Sequence, residues 1–69
     1  MRLNSTYLKG VSYNPTDSTM IVYFADGAMV KYFGIHPRTY QAIVAAESHG
    51  EKFHELMADK TFTVLKAAA

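Results

Sequence analysis

The chain has 69 residues, no cysteine and a formal net charge of +1, which allows one small domain and excludes disulfides and thiolate metal sites. Its seven basic residues are scattered, whereas nucleic-acid-binding domains usually cluster them or have a pI above about 9. No apolar run approaches the roughly 18 residues of a membrane span, and the N-terminus lacks the apolar core of a signal peptide. We therefore expect one cytoplasmic domain over residues 1–69, frayed at 1–6 and 66–69.

The first predicted element is a strand over residues 7–13. Leu8, Gly10 and Ser12 alternate there with Tyr7, Lys9, Val11 and Tyr13, which is the period of a strand. Gly10 indicates a bulge or a close approach of another backbone. The strand cannot continue through residues 14–18, because that stretch is dense in turn-forming residues.

Residues 19–33 predict a β-hairpin, because two runs of β-branched and aromatic residues flank Ala25-Asp26-Gly27. A two-residue loop would place Lys31 beside Val22 on the buried face. A three-residue loop with Gly27 left-handed pairs Phe24 with Ala28 and removes that conflict. Burying an unpaired lysine costs roughly several kcal/mol, so the three-residue loop is favoured. One face of the hairpin then carries Met20, Val22, Phe24, Val30 and Tyr32, and the other carries Ile21, Tyr23, Met29, Lys31 and Phe33.

Two helices and a last strand follow the hairpin. Pro37 suits the first helical position, and Tyr40, Ile43 and Val44 set a helical period over residues 37–47. His36 is a poor N-cap residue, although its ring could satisfy backbone groups at the helix start. Gly50 is expected to end this helix in a left-handed conformation. A second helix is predicted over 51–58 and a strand, at the edge of the sheet, over 61–65.

These elements predict an α+β fold, with a small antiparallel sheet built on the central hairpin and packed on one face by one longer and one short helix. The expected core is Val11, Met20, Val22, Phe24, Val30, Tyr32, Ile35, Tyr40, Ile43, Val44, Phe53, Leu56 and Met57.

The other face of the hairpin is too apolar for plain contact with solvent. An exposed apolar patch usually marks an interface, so Ile21, Tyr23, Met29, Lys31 and Phe33 form the candidate partner-binding site. A protein partner is favoured because few cations lie nearby; it includes a second copy, paired through this face or through the edge of the last strand. The alternative is RNA, stacked on aromatic rings at roughly 1–3 kcal/mol per base, with Lys9, Tyr23, Lys31 and Phe33 as the surface.

The other reactive residue types do not form a recognisable site. His49 and His54 are five residues apart across Gly50, which is not the i, i+4 spacing of a helical metal site. Ser48 is adjacent to His49, and adjacent residues seldom align as nucleophile and base. We therefore expect no catalytic residues, no metal and no cofactor.

The order of motifs resembles the KTSC domain family over about residues 8–62. The matching segments are Val11-Ser12-Tyr13-Asn14-Pro15, Met20-x-Val22-x-Phe24, Asp26-Gly27, Tyr32-Phe33-Gly34-Ile35-x-Pro37, Tyr40 and Ala46-x-Ser48-x-Gly50-x-x-Phe53. The family usually has Tyr-x-Tyr where this chain has Val30 and Tyr32, and Phe-Asn where it has Phe53 and His54.

The resemblance adds expectations about function. The family is named for copies at the C-terminus of some lysyl-tRNA synthetases, a context that implies RNA binding, and it includes small stand-alone proteins of bacteria and phages. Together with the apolar face, it leads us to expect a non-enzymatic binding module, such as a bacterial or phage inhibitor or adaptor of a protein.

Overall fold

The structure, a computed structural model, describes residue 3 and residues 5–68. Its elements in chain order are β1 (Leu8–Asn14), β2 (Thr19–Phe24), β3 (Met29–Tyr32), α1 (Pro37–Ala45), α2 (His49–Met57) and β4 (Phe62–Lys66). The four strands form one antiparallel sheet in the order β1-β2-β3-β4. The predicted α+β fold, with two helices on a small antiparallel sheet, is confirmed.

The central hairpin has the predicted register. The Phe24 N–H donates to the Ala28 carbonyl at 2.9 Å, and Val22 lies opposite Val30. Gly27 has φ +96°, the left-handed conformation that a three-residue loop requires. As a result, Met20 and Val22 are completely buried. The residue between them, Ile21, points to the other face of the sheet.

Strand β1 contains the bulge that Gly10 indicated. Its pairing with β2 shifts between Leu8 and Gly10, so Lys9 is the extra residue. The extra residue changes the alternation, and both Leu8 and Val11 are 1% exposed in the core. Strict alternation had placed Leu8 on the face opposite Val11, which is wrong for this reason.

Helix α1 ends at Ala45, two residues before the predicted end, and begins at Pro37 as predicted. His36 acts as its N-cap, because the imidazole Nδ1 accepts a hydrogen bond from the Arg38 N–H at 3.0 Å. The prediction that this ring satisfies backbone groups is confirmed. The expectation that the helix lacks an effective cap is wrong.

Helix α2 begins at His49, two residues earlier than predicted, because Ser48 caps it. The Ser48 hydroxyl accepts from the Glu51 N–H at 3.4 Å. Gly50 is therefore a residue of the first turn of α2, and the left-handed glycines among the described residues are Gly27 and Gly34. The predicted left-handed stop at Gly50 is wrong.

Both helices lie on the face of the sheet that carries Met20 and Val22. The buried apolar residues are Leu3, Leu8, Val11, Met20, Val22, Val30, Ile35, Ile43, Phe53 and Met57. Partly buried residues that pack against this core are Tyr13, Phe24, Tyr32, Tyr40, Val44 and Leu56. Every residue of the predicted core belongs to one of these two sets.

The chain ends take more part in the fold than the composition indicated. Leu3 is 6% exposed, and its N–H donates to the Lys9 carbonyl at 3.1 Å. Lys66 completes β4. Residues 1, 2, 4 and 69, which were also expected to fray, lie outside the described residues.

Candidate functional site

The sheet face opposite the helices brings together the five residues predicted to bind a partner, and we call Ile21, Tyr23, Met29, Lys31 and Phe33 the outer face. In the β2–β3 pairing Ile21 lies opposite Lys31, and Tyr23 lies opposite Met29. Phe33 follows directly after β3 and is 39% exposed, and the other four side chains are half-buried. No helix or strand of the described residues covers this face.

The one cation of the outer face has neighbours of its own. The Lys31 Nζ lies 5.8 Å from the centre of the Phe33 ring, a cation–π distance. The hydrogen bond from the Thr19 hydroxyl is the main cause that lowers the pKa of the Asp17 carboxyl, and the charge of Lys31 makes a smaller contribution. The outer face is therefore apolar around a lysine that is already engaged electrostatically.

The residues of the RNA alternative are spread over the sheet. Lys9 lies at the bulge of β1, Tyr23 is on β2 and Lys31 is on β3. The two lysines are thus separated by the whole width of β2. Tyr23 therefore has one lysine on each of the two neighbouring strands.

The most exposed apolar side chains lie on β4, which the candidate site from the sequence did not include. Phe62 and Val64 are each 56% exposed and Leu65 is 48% exposed, and every residue of the strand is exposed. Because β4 ends the sheet, no strand formed by the described residues lies on its far side. The signal that could have found it is the apolar alternation Phe62, Val64 in a segment predicted to be an edge strand.

A cleft of about 600 Å³ separates the start of α2 from the segment before β1. Its lining residues are Ser5, Thr6, Tyr7, Ser48, Gly50, Glu51 and His54. The hydroxyl of Tyr7 donates to the Gly50 carbonyl at 2.6 Å. This contact ties the N-terminal segment to the helix.

The serine and histidines considered from the sequence have structural contacts. The Ser48 hydroxyl caps α2, and the His49 Nε2 lies 3.2 Å from the Val44 carbonyl oxygen in a buried position. The Ser48 and His49 side chains are thus directed to different backbone groups. Among residues 3 and 5–68, no group of three or more His, Asp or Glu side chains is placed to hold a metal ion.

We predict that the domain loses stability at alkaline pH because two of its tyrosines have raised pKa values. Burial raises the pKa of Tyr7 and of Tyr32 above the ordinary 10.0, and Tyr7 adds to the rise at Tyr32. Because the folded state favours the neutral phenols, their stabilisation is complete below pH 10.0 and is lost as the pH rises through the folded pKa values. Melting temperatures measured from about pH 9 to about pH 11 should fall, and they should fall less in a Tyr7→Phe, Tyr32→Phe double variant. Equal slopes for both proteins would contradict this assignment.

The fold and this surface define a class: a small two-layer α+β domain with one sheet face covered by helices and the other open. The model of the KTSC domain family matches residues 4–62, and the chain belongs to that family. It is 32% identical over 54 residues to an uncharacterized protein of Stutzerimonas stutzeri (strain A1501), an alignment that covers 78% of this chain and 76% of that protein. The resemblance found in the motifs is thus confirmed.

A solved structure shows the same fold. The crystal structure of a KTSC domain protein from Yersinia pestis superposes with a TM-score of 0.89 and covers 94% of this chain and 93% of its own. The sequence identity is 18%, so the likeness is one of fold. None of the helices in the described part of the chain has the length and apolar character needed to cross a membrane.

Proposed function

We propose that this KTSC domain is a non-enzymatic binding module that engages a protein partner through the outer face. The observation that supports it is an apolar sheet face without a covering layer: four of its five residues are apolar, and both helices pack on the opposite side. A module of this kind acts by occupying a surface of its partner, as an adaptor or an inhibitor does.

The chemistry of the outer face favours protein over RNA. Tyr23 and Phe33 are residue types enriched at the centre of protein interfaces, and Ile21 and Met29 extend the apolar surface around them. Affinity for RNA depends largely on cations that contact phosphates. Lys31 is the one cation among the five residues of the outer face, with Lys66 opposite Met29 on β4, and the Lys31 Nζ lies 5.8 Å from the centre of the Phe33 ring.

A double substitution, Tyr23→Thr with Phe33→Thr, should abolish partner capture and leave the fold intact. Threonine keeps the β-branched shape that suits a strand but removes both rings from the surface. The expected change in melting temperature is small, because neither residue belongs to the buried core. Capture is measured by passing a bacterial lysate over the immobilised protein and comparing the retained proteins by mass spectrometry.

The matched control is Gln41→Ser, an exposed change on α1 on the opposite side of the domain. The control should retain the proteins that the wild type retains. Retention of the same proteins by the double variant would contradict the proposal. A shift of tRNA or single-stranded RNA at low salt, lost in the double variant, would support RNA as the partner instead, and a light-scattering mass of two chains would show that the face is occupied by a second copy.

A further inference from the structure

The backbone groups on the far side of β4 have a defined pattern. The Phe33 N–H donates to the Thr61 carbonyl at 3.0 Å, just before the paired residues Tyr32 and Phe62. Directly opposed residues in antiparallel strands alternate between hydrogen-bonded and non-hydrogen-bonded pairs. The N–H and C=O groups of Phe62 and Val64 therefore point away from β3, toward the open edge of the sheet.

The two edges of the sheet differ in protection. At β1 the Leu3 N–H donates to the Lys9 carbonyl, the Ser5 hydroxyl accepts from the Leu8 N–H, and the strand carries a bulge. Such features block pairing with a further strand. At β4 the pairing irregularity falls beyond Val64, so the segment from Phe62 to Val64 is regular and no described residue covers it.

Space for side chains of an added strand lies on the helix side of this edge. Phe62 and Val64 lie opposite Tyr32 and Val30 and so share the face on which α2 packs. A cleft of about 290 Å³ opens between α2 and β4. It is lined by Tyr32, Phe53, His54, Met57, Ala58 and Phe62, which favours apolar side chains at alternate positions of an incoming strand.

The charges at the two ends of β4 indicate which kind of strand could pair with its free edge. Lys60 precedes the strand and Lys66 ends it, with Asp59 beside Lys60 and no acidic residue within β4. Antiparallel self-pairing would bring the end of one strand to the start of the other, so Lys66 of one copy would approach Lys60 of its partner. Like charges in this position are destabilising, whereas acidic residues flanking an apolar strand would be complementary to both lysines.

We propose that the free edge of β4 accepts an extended apolar segment of another protein, flanked by acidic residues, as an additional strand. Main-chain hydrogen bonds to Phe62 and Val64 provide the affinity, and the cleft beside α2 selects alternate apolar side chains. The proposal rests on the proposed function in that the ligand is a protein, but it uses a surface separate from the outer face.

The test uses a fluorescein-labelled peptide, EEVTVTVEE, and fluorescence polarisation with the full chain. The wild type should bind it, and Val64→Pro should weaken binding by about tenfold or more, since proline removes an edge donor. The matched control Val64→Thr keeps the N–H and the β-branched shape and should bind as the wild type does. Because the Val64 N–H faces away from β3, the proline variant should keep its fold, which circular dichroism checks.

Two further peptides test the contributions of the main-chain hydrogen bonds and of charge. N-methyl groups on the amides of the three valines block the edge of the peptide that pairs with β4 when the valines face the cleft. This peptide should bind more weakly than the unmodified one, a result that does not depend on the folding of Val64→Pro. The lysine-flanked peptide KKVTVTVKK should bind more weakly than the acidic one. Equal binding of all peptides, or none by the acidic one, would overturn the proposal, and so would a light-scattering dimer that Val64→Pro dissolves.

The outer-face double variant separates this proposal from the proposed function. Tyr23→Thr with Phe33→Thr should bind the acidic peptide as the wild type does, because neither residue lies on β4. If peptide binding fails while capture of a partner still depends on Tyr23 and Phe33, the edge proposal alone is refuted. If the peptide binds and the outer-face variant changes no capture, the outer-face function alone is refuted.

Discussion

Replacing Phe53 with alanine is expected to lower the free energy of unfolding by about 3–5 kcal/mol, the usual cost of deleting a buried phenyl group. Phe53 is 7% exposed, and it joins α2 to the sheet. A domain of this size has a total stability of roughly 3–10 kcal/mol, at roughly 0.05–0.15 kcal/mol per residue. The substitution should therefore remove at least about a third of the total stability, and all of it if the domain lies at the low end of this range.

The large effect of Phe53→Ala on stability is explained by the aromatic rings that pack around Phe53. The Phe53 ring meets those of Tyr32, Phe24 and Tyr7 edge-to-face, at centroid distances of 5.7, 6.1 and 6.4 Å. Each such pair contributes roughly 0.5–1.5 kcal/mol beyond the burial of its area. Alanine removes the ring shared by all three pairs and leaves a cavity that β2, β3 and the segment before β1 would have to fill.

Urea unfolding followed by circular dichroism measures this effect. The matched control is Phe33→Ala, which removes the same phenyl group from an exposed position that belongs to no edge-to-face pair, and it should change the stability by about 1 kcal/mol or less. Phe53→Leu, which preserves most of the volume, should fall between the two. An unfolding midpoint for Phe53→Ala equal to that of the wild type would refute the central role of this ring.

The central hairpin was predictable because two independent constraints agree on it. Asp26-Gly27 supplies a turn in which Gly27 is left-handed, and the cost of burying Lys31 selects the loop length. Since side chains alternate along a strand, fixing one pair, Phe24 with Ala28, assigns every other residue of β2 and β3 to a face. The predicted outer face and the five hairpin residues of the predicted core follow from that one choice.

Other positions depend on contacts between segments distant in the sequence, and periodicity does not report these. The bulge at Lys9 moves Leu8 into the core, and a count of alternate residues cannot reveal how the alternation changes there. Leu3 stands alone among polar residues, so its burial follows from the docking of the N-terminal segment rather than from any repeat.

The candidate site was predictable in part for the same reason. The five residues of the outer face were found because they share one hairpin. The exposure of Phe62 and Val64 depends instead on how far the helices extend across the sheet. Helix α2 reaches β3 through the Phe53 ring, which meets the Tyr32 ring, but every residue of β4 is exposed. The sequence of the helix does not indicate its lateral position.

Replacing Gly50 is expected to have the second large effect on stability. This glycine lies in the first turn of α2, whereas the sequence had indicated that it ends the preceding helix. An alanine in the first turn of α2 should favour the helix by about 1 kcal/mol on propensity alone. A Cβ at this position, however, would lie 2.9 Å from the Ser5 Oγ and 2.9 Å from the Tyr7 Cε1. Overpacking of this kind costs about 1–3 kcal/mol, so Gly50→Ala is expected to destabilise the domain.

The neighbours of Gly50 are held in place, which is why the clash should dominate over helix propensity. The Ser5 hydroxyl accepts from the N–H groups of Tyr7 and Leu8 at 3.2 and 3.3 Å, and the Tyr7 hydroxyl donates to the Gly50 carbonyl at 2.6 Å. Moving either side chain away from a new Cβ would break at least one of these bonds. The melting temperature of Gly50→Ala should therefore fall by several degrees, at about 4–8 °C per kcal/mol for a domain of this size.

A double-mutant cycle with Tyr7→Ala separates the clash with the Tyr7 ring from the other effects of the methyl group. In the Tyr7→Ala background the ring is absent and the clash with the Ser5 Oγ remains, so Gly50→Ala should reduce the melting temperature only slightly. In the wild-type background the same change should lower it more, and the difference between the two measures the contact between the N-terminal segment and α2. If Gly50→Ala stabilises both backgrounds equally, the N-terminal segment does not pack against the start of α2, and glycine at position 50 needs another explanation.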